Sequence, residues 1–131
     1  MNKQRYLLAS LAVLVFVFIY EWSFHGGLLK GIYEQTAHLW RSKNDCHMPV
    51  IIAAQLIFSF VFSFIFLKGY ENKGIMEGVR YGALIGLLAI PSNLVYYAVM
   101  PLPVQLVVLW CVGGLVEMIL AGAILAAVYK R

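Results

Sequence analysis

The sequence predicts an all-α fold: an integral membrane bundle of four antiparallel helices, with an amphipathic helix in the outer loop between helices 1 and 2. Hydrophobic residues make up 63% of the 131 residues and charged residues only 12%, whereas soluble domains carry about 25% charged residues. Four apolar runs are each about long enough to cross a hydrocarbon core of roughly 30 Å. The links between the last three runs are short, which favours antiparallel neighbours. One transmembrane domain spanning residues 1–131 is therefore expected.

The first predicted helix covers about residues 6–22. It follows the basic residues Lys3 and Arg5 and so resembles the apolar part of a secretory signal peptide. The bulky sequence YEWSF offers no small-residue cleavage site, so the run is interpreted as a retained signal anchor. The other three helices are predicted at about 50–67, 75–99 and 104–129, separated by the polar turn KGYENKG and by the proline-containing link MPLP.

Lysine and arginine residues predict the orientation of the bundle, because cytoplasmic loops are enriched in them. With the N-terminus inside, seven of the ten basic residues lie on the cytoplasmic side and three on the outer side. The sequence therefore predicts a multi-pass protein of the bacterial inner membrane with both termini in the cytoplasm. This topology also accounts for the sequence pI of about 9.2, so the lipid bilayer is the expected partner and no nucleic acid is. The inner residues are Lys3, Arg5, Lys68, Lys73, Arg80, Lys130 and Arg131, and the outer ones are Lys30, Arg41 and Lys43.

The long link between the first two spans carries apolar residues at helical spacing, which predicts an amphipathic helix over about 27–41 at the outer membrane interface. Trp22 and Trp40 fit the aromatic belt of such an interface. Three interpretations remain open for this helix. It can be a structural lid or a foot on the lipid headgroups, a docking surface for a partner, or a cap over a cavity.

Small residues form stripes on the last two predicted helices. Such stripes let membrane helices approach closely, so they predict helix packing. The glycines concerned are Gly78, Gly82, Gly86, Gly113, Gly114 and Gly122.

Glu117 is the most unusual residue of the spans, because it lies near the middle of the fourth apolar run. An ionised acid at the membrane midplane costs about 2.5 to 3.5 kcal/mol on insertion scales. It can be a structural carboxyl, protonated and bonded to Asn93 or Ser59, or a proton-exchanging or cation-binding group reached from the outer side. Glu21 is expected to be solvated, although it could guard the same outer vestibule. The predicted intramembrane polar site consists of Glu117, Asn93, Gln55, Ser59 and Ser92.

Soft metal ligands in the outer loop form only a weak pattern, comprising His25, His38, Cys46 and His47. The sequence contains no CxxC or CxxCH motif, and no cofactor is expected. A disulfide between Cys46 and Cys111 is not expected either, because the two differ in predicted depth. No nucleophile with a partner base is evident, so the protein is not expected to be an enzyme.

Three segments resemble small four-helix inner-membrane proteins of bacteria whose families have no assigned activity, and the resemblance implies this fold alone. They are EWSFHGGLLKGIYEQTAHLWR, GIMEGVRYGALIGLLAIPSNLVYYAVMPLP and LVEMILAGAILAAVY. The size and the embedded glutamate are also similar to small multidrug-resistance transporters. The essential glutamate of that family lies in the first helix, whereas Glu117 lies in the fourth, so none of its residues is carried over.

Three functions are compatible with these features. The first is a non-enzymatic accessory or structural subunit of a membrane assembly, favoured by the small size and the glycine-rich faces. The second is a small proton-coupled carrier that uses Glu117 and works as a homo-oligomer. The third is an outward-facing protein that binds a metal or small ligand through the histidine-bearing loop.

Overall fold

The computed structural model describes residues 2–41 and 47–129, and within these ranges the chain is helical and contains no strand. The predicted all-α class is thus confirmed. Four helices are long and apolar enough to cross a membrane. The elements are α1 (Lys3–Ser23), a π-helix (Phe24–Leu28), α2 (Lys30–Gln35), a 3-10 helix (Ala37–Leu39), α3 (Met48–Lys68), α4 (Ile75–Val99) and α5 (Val104–Val128).

Local sequence signals set several of the helix ends. The side chain of Asn2 accepts a hydrogen bond from the Arg5 amide at 3.1 Å and so caps the N-terminus of α1. Gly74 precedes α4 with a φ of 83°, a left-handed conformation that glycine adopts readily. Glu77, in the first turn of α4, accepts hydrogen bonds from the amides of Glu71 and Lys73 and so fixes the turn after α3.

The contact between α4 and α5 is the most extensive one between two helices of the described chain. It is built on glycines, because an added Cβ at Gly78 would overlap the Gly122 carbonyl oxygen and one at Gly82 would overlap that of Met118. Gly86 continues the contact and packs against Leu115. The two backbones therefore touch along this half of the pair, as small residues allow.

Helix α1 packs against both α3 and α5. A core of buried apolar residues joins these helices in the half of the bundle that contains the N-terminus of α1 and the C-terminus of α5. Tyr81 of α4 closes this core, because its hydroxyl donates to the Phe62 carbonyl oxygen at 2.6 Å. The buried core residues are Ala9, Val13, Val17, Phe62, Phe66, Met118, Ala121, Leu125, Ala126 and Tyr129.

The segment after α1 packs onto the first turns of α5, where Leu29 is buried together with Leu106. The predicted helix over 27–41 is divided here into the end of the π-helix, α2 and the 3-10 helix. The physical reason lies in the local sequence. Glycine destabilises a helix interior, and the Thr36 hydroxyl donates to the Ile32 carbonyl oxygen of the preceding turn, which favours an interruption of the helix. Trp40, at the end of this segment, lines a cavity.

Candidate functional site

A cavity of about 370 Å³ lies between the end of α1, the second half of α4 and the first half of α5. It is situated on the opposite side of Glu117 from the apolar core. Its lining combines two carboxyl groups with an imidazole, an amide and four aromatic rings. The lining residues are Glu21, Phe24, His25, Trp40, Asn93, Tyr96, Trp110, Gly114 and Glu117.

Glu117 lies at the deep end of this cavity. It occupies the middle of α5, with thirteen helical residues before it and eleven after it (104 to 117 and 117 to 128). Only 5% of the residue is exposed, and its Oε2 atom has no hydrogen-bond partner. A buried acceptor without a donor costs about 1 to 3 kcal/mol. Glu117 thus lines the cavity and carries a buried oxygen without a donor.

Glu21 brings a second carboxyl group to Glu117. It lies near the end of α1, and both carboxyl groups line the same cavity. Two neighbouring carboxyl groups can share a hydrogen bond only when one of them carries a proton, because an ionised carboxylate has no donor. A pair of acids from two helices is therefore an arrangement that can take up and release a proton.

A chain of polar contacts connects Glu21 to the segment after α1 and to α5. The indole N–H of Trp110 donates to the Tyr33 hydroxyl oxygen at 2.8 Å. The Tyr33 oxygen lies 2.6 Å from His25 Nδ1, and His25 Nε2 lies 2.9 Å from Glu21 Oε2.

With its proton on Nε2, His25 can accept from the Tyr33 hydroxyl at Nδ1 and donate to Glu21. Burial raises the pKa of the Tyr33 hydroxyl. Since the side chains of His25 and Glu21 are 39% and 32% exposed, this chain of polar groups reaches the rim of the cavity.

The π-helix places His25 and Phe24 at the cavity. Its wider turn appears in the bond from the Leu29 amide to the Phe24 carbonyl oxygen, five residues back, at 2.9 Å. The Phe24 ring packs on Gly113, where any side chain would clash with it. Short π-helical segments are frequent at functional sites.

The structure brings together only part of the polar site predicted from the sequence. Glu117 and Asn93 both line the cavity, and Asn93 Nδ2 lies 3.9 Å from Cys111 Sγ. Gln55 and Ser59 are buried on α3 and do not line the cavity. Ser92 is exposed on α4 and does not line it either.

The predicted packing glycines also divide into two groups. Gly78, Gly82, Gly86 and Gly122 lie in the contact of α4 with α5, and Gly113 packs against the Phe24 ring of the π-helix. Gly114 lines the cavity, and an added Cβ there would meet nothing within 4 Å.

The weak metal candidates do not converge within the described residues. His25 bonds Glu21 and Tyr33, whereas His47 Nε2 accepts from Arg41 at 3.0 Å. His38 is exposed in the 3-10 helix, and Cys46 lies outside the described residues. No group of three or more His, Cys, Asp or Glu side chains that could hold a metal ion occurs in residues 2–41 and 47–129.

Sequence reasoning did not assign Glu21, His25, Tyr33 and Trp110 to one site. One signal was present, because Glu21 and His25 are four residues apart and so share a helix face. The link to Tyr33 and Trp110 has no sequence signal, since 77 positions separate these two residues.

Comparisons with known proteins give no match, whether to models of protein families, to curated proteins or to solved structures.

Proposed function

We propose that the chain is a multi-pass protein of the bacterial inner membrane, with four antiparallel spanning helices and both termini in the cytoplasm. The order of contacts supports the antiparallel arrangement, since Gly78 packs on Gly122, whereas Gly86, further along α4, packs on Leu115 of α5. The orientation is supported by the basic residues, because seven lie on the proposed cytoplasmic side and three on the outer side. In this topology the cavity lies in the outer half of the bundle.

We infer further that the protein is a small carrier that exchanges a proton on the Glu21–Glu117 pair for a solute in the cavity. The observation that carries this proposal is the placement of two carboxyl groups at one cavity between helices apolar enough to cross a membrane. Ionisable residues within spanning segments are expensive and commonly mark proton relays and substrate paths. A purely structural carboxyl would instead have both oxygens satisfied, whereas Glu117 Oε2 is unpaired.

The packing beyond Glu117 fits one state of such a carrier. Met118, Ala121 and Leu125 are buried on the cytoplasmic side of the acid, where they fill the bundle. In the proposed cycle this arrangement is the outward-facing state, and transport requires these helices to separate below Glu117.

Proton flux in reconstituted vesicles tests the carrier proposal. Vesicles that contain the purified protein and a trapped pH-sensitive dye are given an acidic interior, and one probe of each charge class is added outside: lactate, glucose or benzylamine. At least one probe should change the rate of proton movement relative to vesicles that contain Glu117→Gln. Equal rates in both kinds of vesicle for all three probes would contradict the proposal.

Glu34→Gln is the matched control for this experiment. Glu34 is exposed on α2 and does not line the cavity. The variant removes the same charge as Glu117→Gln and should keep the wild-type rate.

A separate observation favours a second candidate function, that of an accessory subunit. An apolar groove of about 480 Å³ runs along α3, where Ile57 and Val61 line one wall and Ile85 of α4 lies opposite. A helix of another membrane protein would fit this groove. If so, the gently extracted protein should migrate with larger membrane proteins, and Val61→Trp should release it. A lone monomer or small homo-oligomer would count against this role. Both candidate functions are non-enzymatic.

A further inference from the structure

We infer that the cavity binds a protonated organic amine, with the ammonium group at Glu117 and the apolar body between the aromatic side chains. This inference deepens the proposed carrier function and rests on it for its place in a transport cycle. The binding step itself depends only on the cavity.

The charges that line the cavity favour a cation. Two of the lining residues are acids, and none of them is lysine or arginine. His25 Nε2 lies 2.9 Å from Glu21 Oε2 and is therefore engaged by one of the lining acids. A bound anion would face two acids without a fixed positive charge, which is unfavourable at low dielectric.

The walls favour an organic cation over a metal ion. Phe24, Trp40, Tyr96 and Trp110 present aromatic rings to the cavity. Aromatic faces attract ammonium groups through their quadrupoles and pack against apolar bodies. Calcium or magnesium would require about six oxygen ligands, whereas the lining side chains supply two carboxyl groups and one amide oxygen, apart from the Tyr96 hydroxyl.

The unpaired oxygen of Glu117 selects an amine that still carries N–H bonds. Oε2 is buried and lacks a donor, and a primary ammonium group supplies three donors. A quaternary ammonium group supplies none and would leave the oxygen unsatisfied. The cavity volume of about 370 Å³ is at the small end of ligand pockets, which range over about 300 to 1,000 Å³. An amine with one aromatic ring or a short alkyl body is therefore the expected size.

Binding of the amine should release the proton of the acid pair. In the proposed carrier, that proton resides on the Glu21–Glu117 pair before the amine binds. The ammonium group replaces it as the donor, so one positive charge enters as one leaves, and only the O–H bond of the acid is broken. The titratable groups that face Glu117 are Glu21 and Tyr20 of α1, His25 of the π-helix and Tyr96 of α4, with Tyr33 of α2 behind His25.

Two tryptophans that line the cavity provide a direct readout of binding. The chain has three tryptophans, and Trp22 does not line the cavity. In a Trp22→Phe background the remaining fluorescence comes from Trp40 and Trp110. Benzylamine added to this protein in lipid nanodiscs should change the fluorescence saturably. Calorimetry in two buffers of different ionisation enthalpy should show release of about one proton per bound amine.

Two variants should remove the site by different means. Glu117→Gln should weaken benzylamine binding about tenfold or more and abolish the proton release, because the ionised acceptor is lost. Gly114→Leu keeps both acids and fills the cavity from a position where an added Cβ meets nothing within 4 Å. If Glu117→Gln fails to fold, Gly114→Leu still decides the question. Glu34→Gln should bind benzylamine as the wild type does.

Two close analogues of benzylamine can overturn the inference. Benzyl alcohol has the same body without the charge, and benzyltrimethylammonium has the charge without N–H bonds. Equal binding of either analogue, or benzylamine binding without proton release, would contradict a protonated-amine site. If lactate drives proton flux and benzylamine does not bind, the amine site is refuted and the carrier proposal stands. If benzylamine binds with proton release but no probe drives flux, the carrier proposal is refuted and the amine site stands.

Discussion

The two halves of the α4–α5 pair differ in how closely their backbones approach. In one half, Gly78 and Gly82 bring the backbones into contact, with no room for a single Cβ. In the other half, α4 has no buried residue after Gly86, and the cavity lies between Asn93 and Glu117. The same two helices thus form a dry contact at one end and a polar opening at the other. Residue size along one face decides where a membrane bundle has room for an acid.

The two halves also differ in the kind of polar group that they bury. In the packed half, the Tyr81 hydroxyl donates to the Phe62 carbonyl oxygen, and the buried unpaired oxygens of Ser10 and Ser59 belong to neutral hydroxyl groups. In the cavity half, a buried unpaired oxygen belongs to the carboxyl group of Glu117. The packed half is therefore expected to contribute most of the stability, and the cavity half to contribute less.

The largest expected effect is a difference in stability between two glycine-to-alanine variants, one in each half. Gly82→Ala places a Cβ on the Met118 carbonyl oxygen and should lower the free energy of unfolding by about 2 kcal/mol, because the helices must separate. Gly114→Ala adds the same methyl group to open space and should leave stability nearly unchanged. Titration with SDS in mixed micelles measures both. Equal losses would show that the halves are packed alike.

Replacement of Glu117 by methionine should stabilise the fold. The substitution roughly preserves volume and removes a buried acceptor without a partner, so we expect a gain of about 1 kcal/mol or more in the same titration. Glu21, about one-third exposed, can be solvated after its partner is lost. A loss of stability would instead support the structural interpretation of Glu117.

Tyr81→Phe tests the hydrogen bond of the packed half. The hydroxyl donates to a backbone carbonyl at 2.6 Å, and its removal should lower the free energy of unfolding by about 1 kcal/mol. Tyr97→Phe is the matched control, because Tyr97 is exposed at the other end of the same helix. If the two variants lose the same stability, the bond contributes nothing specific.

The smallest expected effect depends on pH and concerns Tyr33. Burial raises the pKa of its hydroxyl above the ordinary value of 10.0. A group with a raised pKa stabilises the fold fully below its unfolded pKa and loses that contribution as the pH rises through the folded pKa. The stability advantage of the wild type over Tyr33→Phe should therefore be constant up to about pH 10 and shrink above it. Thermal unfolding at several alkaline pH values measures this difference, and an advantage that grows with pH would contradict the assignment.

Particular residues show how far the sequence could predict the site. Glu117 was identifiable because a lone acid within a long apolar run is rare. Asn93 was predicted to lie near it from helical depth, and both line the cavity. Gln55 and Ser59 have the same polar character, but α3 packs on α1 and holds them away from the cavity. Polarity and position along each helix predicted how deep a side chain lies in the bundle, but they did not predict which helices are neighbours.

The sequence by itself determined the four long helices, because apolar runs of sufficient length form helices whose backbone groups are satisfied internally. It also determined where α4 and α5 can touch, since only glycine permits backbone contact. Only the tertiary structure decided that Glu21 lines the same cavity as Glu117 and that His25, Tyr33 and Trp110 form one chain of polar contacts with Glu21. The physical reason is that these residues belong to α1, the segment after it, and α5, whose positions depend on packing between helices and not on the local sequence of any one of them.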